Sequence, residues 1–177
     1  MADFISAFNA TMQSEGGYVN DPQDPGGETY KGIARKFNSK WEGWTDIDTA
    51  KREKSFPANL ENNTVLQEKI KAYYRSNYWD TLRGDEISDQ QVAASIFDFA
   101  VNAGAVISAK LAQLTINEQP DGIIGPVTLL KINATDSHSF LALFALHKIA
   151  RYVNICEQRP DSKKYFFGWV KRTVEGV

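Results

Sequence analysis

The chain has 177 residues, 42% of them hydrophobic and 24% charged, and a formal net charge of −2. That is an ordinary globular composition, long enough for one substantial domain or two small lobes, and its charge gives no reason to expect nucleic acid or an anionic membrane as a partner. No run approaches the roughly 18 apolar residues of a membrane-spanning helix. The single Cys156 excludes an internal disulfide and reads as a small packing residue beside Val153 and Ile155. His138 and His147 offer no zinc-ligand spacing, so neither metal nor cofactor is expected.

Charge is unevenly spread. Residues 1–30 hold Asp3, Glu15, Asp21, Asp24 and Glu28 without a lysine or arginine, whereas the last thirty residues carry Lys148, Arg151, Arg159, Lys163, Lys164, Lys171 and Arg172. The opening Met1-Ala2-Asp3-Phe4 lacks the basic start and apolar middle of a secretory signal peptide.

In chain order, Phe4, Phe8, Met12 and then Glu15 fall on one face of a helix that begins near Asp3 and is ended by Gly16-Gly17. From residue 18 to 32 the chemistry is that of turns, with Asp21-Pro22, Asp24-Pro25 and Gly26-Gly27, and it predicts a small irregular β-hairpin. Residues 36–63 form a variable, charged stretch containing Trp41, Trp44 and Pro57. A helix is predicted over 65–80, carrying Leu66, Ile70, Tyr73, Tyr74 and Trp79, the last of these read as core. Another is predicted over 89–102 with Val92, Ile96, Phe99 and Ala100, and another over 106–116. Asp121-Gly122 and Gly125-Pro126 frame a turn, with Pro126 suited to the first turn of a short helix. Residues 139–156 are apolar on most sides and read as a central helix. The fold expected is mainly α, with little sheet beyond the hairpin. No linker or repeat is visible, so a boundary near residue 90 would separate closely packed lobes, 1–90 and 91–177.

Glycoside hydrolysis needs a carboxylic acid that gives its proton to the leaving oxygen and a second carboxylate that handles water or the cationic transition state. Glu15 suits the first role. It extends an apolar stripe, lies at a helix C-terminus and has acidic neighbours, and each of these favours the protonated form. A solvated residue at a fraying helix end is the competing reading. Asp24 and Thr29 could come opposite it on a folded-back hairpin, although an Asx-turn accounts for Asp24 equally well. Asp21 reads as a turn residue, and the acids do not have the spacing of an EF-hand calcium loop.

The segment Glu15-Gly-Gly-Tyr-Val-Asn-Asp-Pro-Gln-Asp-Pro-Gly-Gly-Glu-Thr-Tyr-Lys-Gly-Ile33 resembles the signature of glycoside hydrolase family 108. Its members are N-acetylmuramidases among phage-type endolysins and secretion activator proteins. The resemblance implies a lysozyme-like helical fold, Glu15 as catalytic acid, and Asp24 and Thr29 as partners that position water or stabilise charge. Tyr18, Asn20 and Tyr30 fall within the motif and are candidate sugar contacts. Phe97-Asp-Phe-Ala-Val-Asn-Ala-Gly104 resembles a second family block, which implies a sugar contact at Asn102; capping of the helix before Gly104 is the alternative. Asp121-Gly-Ile-Ile-Gly-Pro-Val-Thr128 is similar to a turn of helical peptidoglycan-binding modules, and Phe166-Phe-Gly-Trp-Val-Lys-Arg172 to the end of the module that accompanies this family. Two departures stand out: Gly32-Ile33-Ala34 replaces the usual Gly-Ile-Thr, and Tyr30-Lys31 reverses the commoner order.

The activity implied is cleavage of the β-1,4 bond between N-acetylmuramic acid and N-acetylglucosamine in peptidoglycan. A monomer made in the cytoplasm is expected, released by a holin or secretion machinery, with no nucleic acid and no membrane insertion. A noncatalytic adaptor on the same scaffold is the alternative. Peptide cleavage lacks a zinc set, and a cysteine–histidine pair is not offered by Cys156 and His147, which sit nine apart on the predicted core helix.

Overall fold

The computed structural model describes residues 1–13, 15–21 and 26–176. Among them are eight helices, α1 (Phe4–Met12), α2 (Gly43–Ala50), α3 (Thr64–Tyr74), α4 (Gln90–Ala103), α5 (Ala105–Thr115), α6 (Pro126–Ala134), α7 (Ser137–Gln158) and α8 (Lys163–Glu175). Three short strands, β1 (Tyr18–Asn20), β2 (Glu28–Tyr30) and β3 (Ile33–Ala34), form one antiparallel sheet in the order β1-β2-β3. The protein is mainly α, as the sequence pattern predicts. The expected hairpin has gained a third strand. No described helix is long and apolar enough to cross a membrane.

Helices α1, α3, α4 and α7 begin where side chains can satisfy the free N–H groups of a first turn. Asp3 accepts from the backbone of Ser6, Asn63 from Leu66, Asp89 from Gln91 and Val92, and Asp136 from Ser139. Pro126 occupies the first turn of α6, where its missing N–H costs nothing.

The chain divides into two compact units, residues 8–76 and residues 1–7 with 77–177. In the first, α2 packs on α3 beside the sheet, around Ile33, Ile47, Leu60, Leu66 and Ile70. Phe8 meets the ring of Tyr74 at 5.8 Å. Helix α2 lies inside the stretch read as variable, and its Trp44, Ile47 and Ala50 form one buried face. Beyond Tyr74 the winding loosens into a π-helical turn, Arg75–Trp79.

In the second unit Phe4, Trp79 and Phe97 meet edge to face at 5.7–5.9 Å. Trp79 is buried, as expected, and its indole N–H donates to Asp85. Helices α4 and α5 turn about the single residue Gly104, at φ 92°, and the Ser108 hydroxyl ties them by donating to the Ile96 carbonyl at 2.6 Å. Helix α7 is less enclosed than its composition suggests. Phe140, Leu141, Phe144 and Cys156 are buried, but Leu143, Leu146 and Val153 are exposed. The segment resembling a module end is the amphipathic helix α8, which packs on α7.

Candidate active site

Helix α1 releases the chain at Met12, and Glu15 follows three residues later, half-buried, its backbone N–H donating to the Met12 carbonyl. The apolar stripe therefore grades from buried Phe4 and Phe8 to half-buried Met12 and Glu15. The tip of the β2–β3 hairpin comes close to this carboxyl. Lys31 and Gly32 both have positive φ, 44° and 78°, as a two-residue hairpin turn with the twist of the strands requires. A Cβ on Gly32 would lie 2.9 Å from Glu15 Oε2 and 2.6 Å from the Tyr74 hydroxyl. The glycine is thus needed twice, for its backbone angle and for the approach of these two side chains. Tyr74, on α3, donates its hydroxyl proton to the Lys31 carbonyl at 2.6 Å and pins the tip.

Strand register puts the motif's expected sugar contacts on one face and Thr29 on the other. Tyr18 lies opposite Tyr30, Asn20 opposite Glu28 and Tyr30 opposite Ile33, so all five share one face; Val19, Thr29 and Ala34 share the other. The first face turns inward at Tyr30 and Ile33, which are 1% and 0% exposed. Tyr30 hydrogen-bonds through its hydroxyl to Glu61 and Gln67, and burial pushes its phenol up to about 12. Tyr30 is a core residue and leaves no ring face for a sugar. Tyr18 is half-buried, edge-on to Phe56 at 4.7 Å, with its hydroxyl on Glu28. Asn20 is exposed.

Thr29 is half-buried on the opposite face and donates its hydroxyl to the Gly27 carbonyl at 3.2 Å. Directly across from it stands Ala34. The hydroxyl this chain lacks relative to the family motif would therefore lie beside Thr29. Asp24 lies outside the described residues. Asn102 belongs to the other compact unit, where it is exposed and donates to the Asp98 carbonyl one turn back in α4.

An ionic network not foreseen from the sequence holds the sheet. Glu28 receives Arg35 at 2.8 Å, Lys51 at 2.6 Å and the Tyr18 hydroxyl at 3.1 Å, while Asp48 engages the same two cations. Burial pushes the Glu28 carboxyl up, but hydrogen bonds from Lys51, Arg35 and Tyr18 outweigh it and leave the group below its ordinary value. Arg35 also lies over the Trp44 ring, at 5.0 Å. The run of acids without cations in residues 1–30 was the only sequence signal of this hub.

The turn over 121–128 is built inward. The buried Gln113 amide donates to Asp121 at 2.7 Å and to the Ile123 carbonyl at 3.1 Å, and its oxygen accepts from Gly122 N–H at 2.9 Å. Asp121 also accepts from Ile123 N–H, and Thr128 is buried. Gly122 has φ 88°, and a Cβ on it would meet Val106 at 2.8 Å. The motif residues are used to fold the turn around Gln113. No group of three or more His, Cys, Asp or Glu side chains suited to a metal ion occurs among the described residues.

The model of the family described as "Glycosyl hydrolase 108" matches residues 8–104. A second, "Predicted Peptidoglycan domain", matches residues 102–174. Among solved structures, SagA of Brucella abortus is similar, with a TM-score of 0.73 and 27% identity over 98% of this chain and 90% of that one. No curated protein matches the chain.

Proposed function

The chain belongs to the glycosyl hydrolase 108 family, and from that premise we propose that it is an N-acetylmuramidase. It cleaves the β-1,4 bond between N-acetylmuramic acid and N-acetylglucosamine in peptidoglycan, with Glu15 as general acid. The observation that carries this reading is the position of Glu15, half-buried where α1 ends, beside the hairpin tip and the Tyr74 hydroxyl. The acid protonates the leaving glycosidic oxygen as the C1–O bond breaks and positive charge develops at C1. Asp24 and Thr29 are the proposed partners that orient water or stabilise that charge. Tyr18, Asn20 and Asn102 are proposed sugar contacts.

In this reading residues 1–90 carry the chemistry and residues 91–177 form the peptidoglycan-binding-like lobe, supported by the domain match over 102–174. The protein acts as a monomer on the cell wall after release through a holin or secretion machinery. The test is release of reducing ends from purified peptidoglycan, with mass spectrometry of the fragments. The parent protein should yield fragments ending in reducing muramic acid, and Glu15→Gln should lower the rate at least about 100-fold with an unchanged melting temperature. Binding of peptidoglycan without cleavage by the parent would instead establish a noncatalytic adaptor.

A further inference from the structure

A second feature of the unit containing Glu15 has the chemistry of a carbohydrate subsite. Between β3 and α2 the chain surrounds an open concavity of about 460 Å³, lined by Phe37, Asn38, Ser39, Lys40, Trp41 and Tyr73. That size lies within the range of small-ligand sites. Its walls are fixed. The Tyr73 hydroxyl donates to Asn38 Oδ1 at 2.8 Å, the Asn38 amide donates to the Ala34 carbonyl at 3.0 Å, and Trp44 donates to the Asn38 carbonyl at 2.8 Å. Trp41 stands perpendicular to Trp44 at 5.3 Å and packs so closely over Gly43 that a Cβ there would lie 2.3 Å from its ring. Phe37 contrasts with all of these. It is 72% exposed, and Lys36 is its one ring neighbour among the described cation contacts.

We infer that this concavity binds an N-acetylhexosamine unit of the glycan strand, its ring face stacked on Phe37 and Trp41. The inference rests on the peptidoglycan reading above. Pyranose rings present flat C–H faces to aromatic rings and hydroxyl and acetamide groups at their edges, and this lining pairs aromatic rings with the Ser39 hydroxyl and the Lys40 ammonium at one opening. An apolar peptide would leave those polar groups without partners. The subsite is joined to the proposed acid by contiguous rings. Trp41 touches Tyr73 at 6.1 Å, Tyr73 touches Tyr74 at 5.5 Å, and Tyr74 reaches the hairpin tip beside Glu15.

Phe37→Ala tests this without disturbing the fold, with Phe37→Tyr as the conservative control. Two readouts are needed: KM and kcat on solubilised peptidoglycan, and equilibrium binding of a tetramer of N-acetylglucosamine. Phe37→Ala should raise KM and weaken tetramer binding about tenfold, with kcat within about twofold, and Phe37→Tyr should restore both. Hydrolysis and tetramer binding unaltered in Phe37→Ala would overturn the subsite while leaving the muramidase reading intact. If the parent protein cleaves nothing, that reading falls and tetramer binding alone decides: loss in Phe37→Ala sustains the subsite, no change overturns it. Failure of the parent to bind the tetramer, including binding that requires stem peptides, also overturns it.

Discussion

Each compact unit buries a charged side chain, and the two are compensated very differently. In residues 8–76, the Glu28 side chain is 12% exposed and is met by two cations and a phenol. In residues 77–177, Lys148 is 5% exposed, hydrogen-bonds to the Ser95 hydroxyl at 2.9 Å and lies over the rings of Phe144 at 4.5 Å and Phe99 at 5.4 Å. The carboxylate it feels, Asp98, is bonded to Arg172 at 2.7 Å. Burial pulls the Lys148 amine down to about 8, whereas the partners of Glu28 overcome burial and keep it ionised. Burial alone does not determine whether a charge persists; the number and sign of its partners do.

Breaking the compensated side should produce the largest effect. Glu28→Gln leaves Arg35 and Lys51 with Asp48 alone, and at pH 7 it should cost about 3 kcal/mol, at the low end for a buried pair because both cations are about a third exposed. Denaturant midpoints would measure it, and a loss under about 1 kcal/mol would show the hub to be no stronger than surface pairs. Its folded carboxyl titrates below the ordinary value, so the stabilisation it gives is present above the ordinary carboxylate range and is lost as pH falls through the lower folded value.

The uncompensated side predicts an alkaline response of comparable size. Between pH 8 and 10.5 the unfolded chain keeps a proton on Lys148 that the folded chain has released, so stability rises with pH by an amount on the order of 3 kcal/mol. Lys148→Met should abolish that rise and be at least as stable as the parent at pH 7, which pH-dependent unfolding curves can check. A parent whose stability is flat across this window would show that Lys148 is paired in solution. A smaller loss, about 2 kcal/mol, is expected for Gln113→Leu, which leaves Gly122 N–H and the Ile123 carbonyl without their partner. Calorimetry should find a lowered melting temperature, and release of reducing ends should be unchanged below it.

These contrasts also mark how far the sequence could be read. The stripe Val92, Ile96, Phe99 and Ala100 announced α4 and is buried as periodicity requires. Helix α2 escaped notice because eight residues span barely two turns, and its N-cap Glu42 makes no side-chain capping bond. Tyr30 illustrates a different limit. A strand alternates its faces, but which face turns inward follows from register and from what packs against it, so the same residue reads as ligand or as core until Ile33 and Gln67 are in place. For the candidate site, Glu15 was legible from its motif, whereas the helix expected to carry it up to Gly16 ends at Met12. The neighbour of Glu15, Tyr74, 59 positions further on, had no local signal beyond helical spacing.

By itself the sequence determined the mainly α class, the first helix, the turn-rich sheet after it, the carboxyl at their junction and the family, because periodicity, glycine and proline placement and motif spacing act over a few residues. Only the tertiary structure decided that Gly32 closes on Glu15 and Tyr74, that Glu28 gathers Arg35 and Lys51, that the turn over 121–128 folds around Gln113 and that Lys148 is buried among rings. Those outcomes pair groups from separate elements. Partners of that kind are selected by packing and register, which no local pattern encodes.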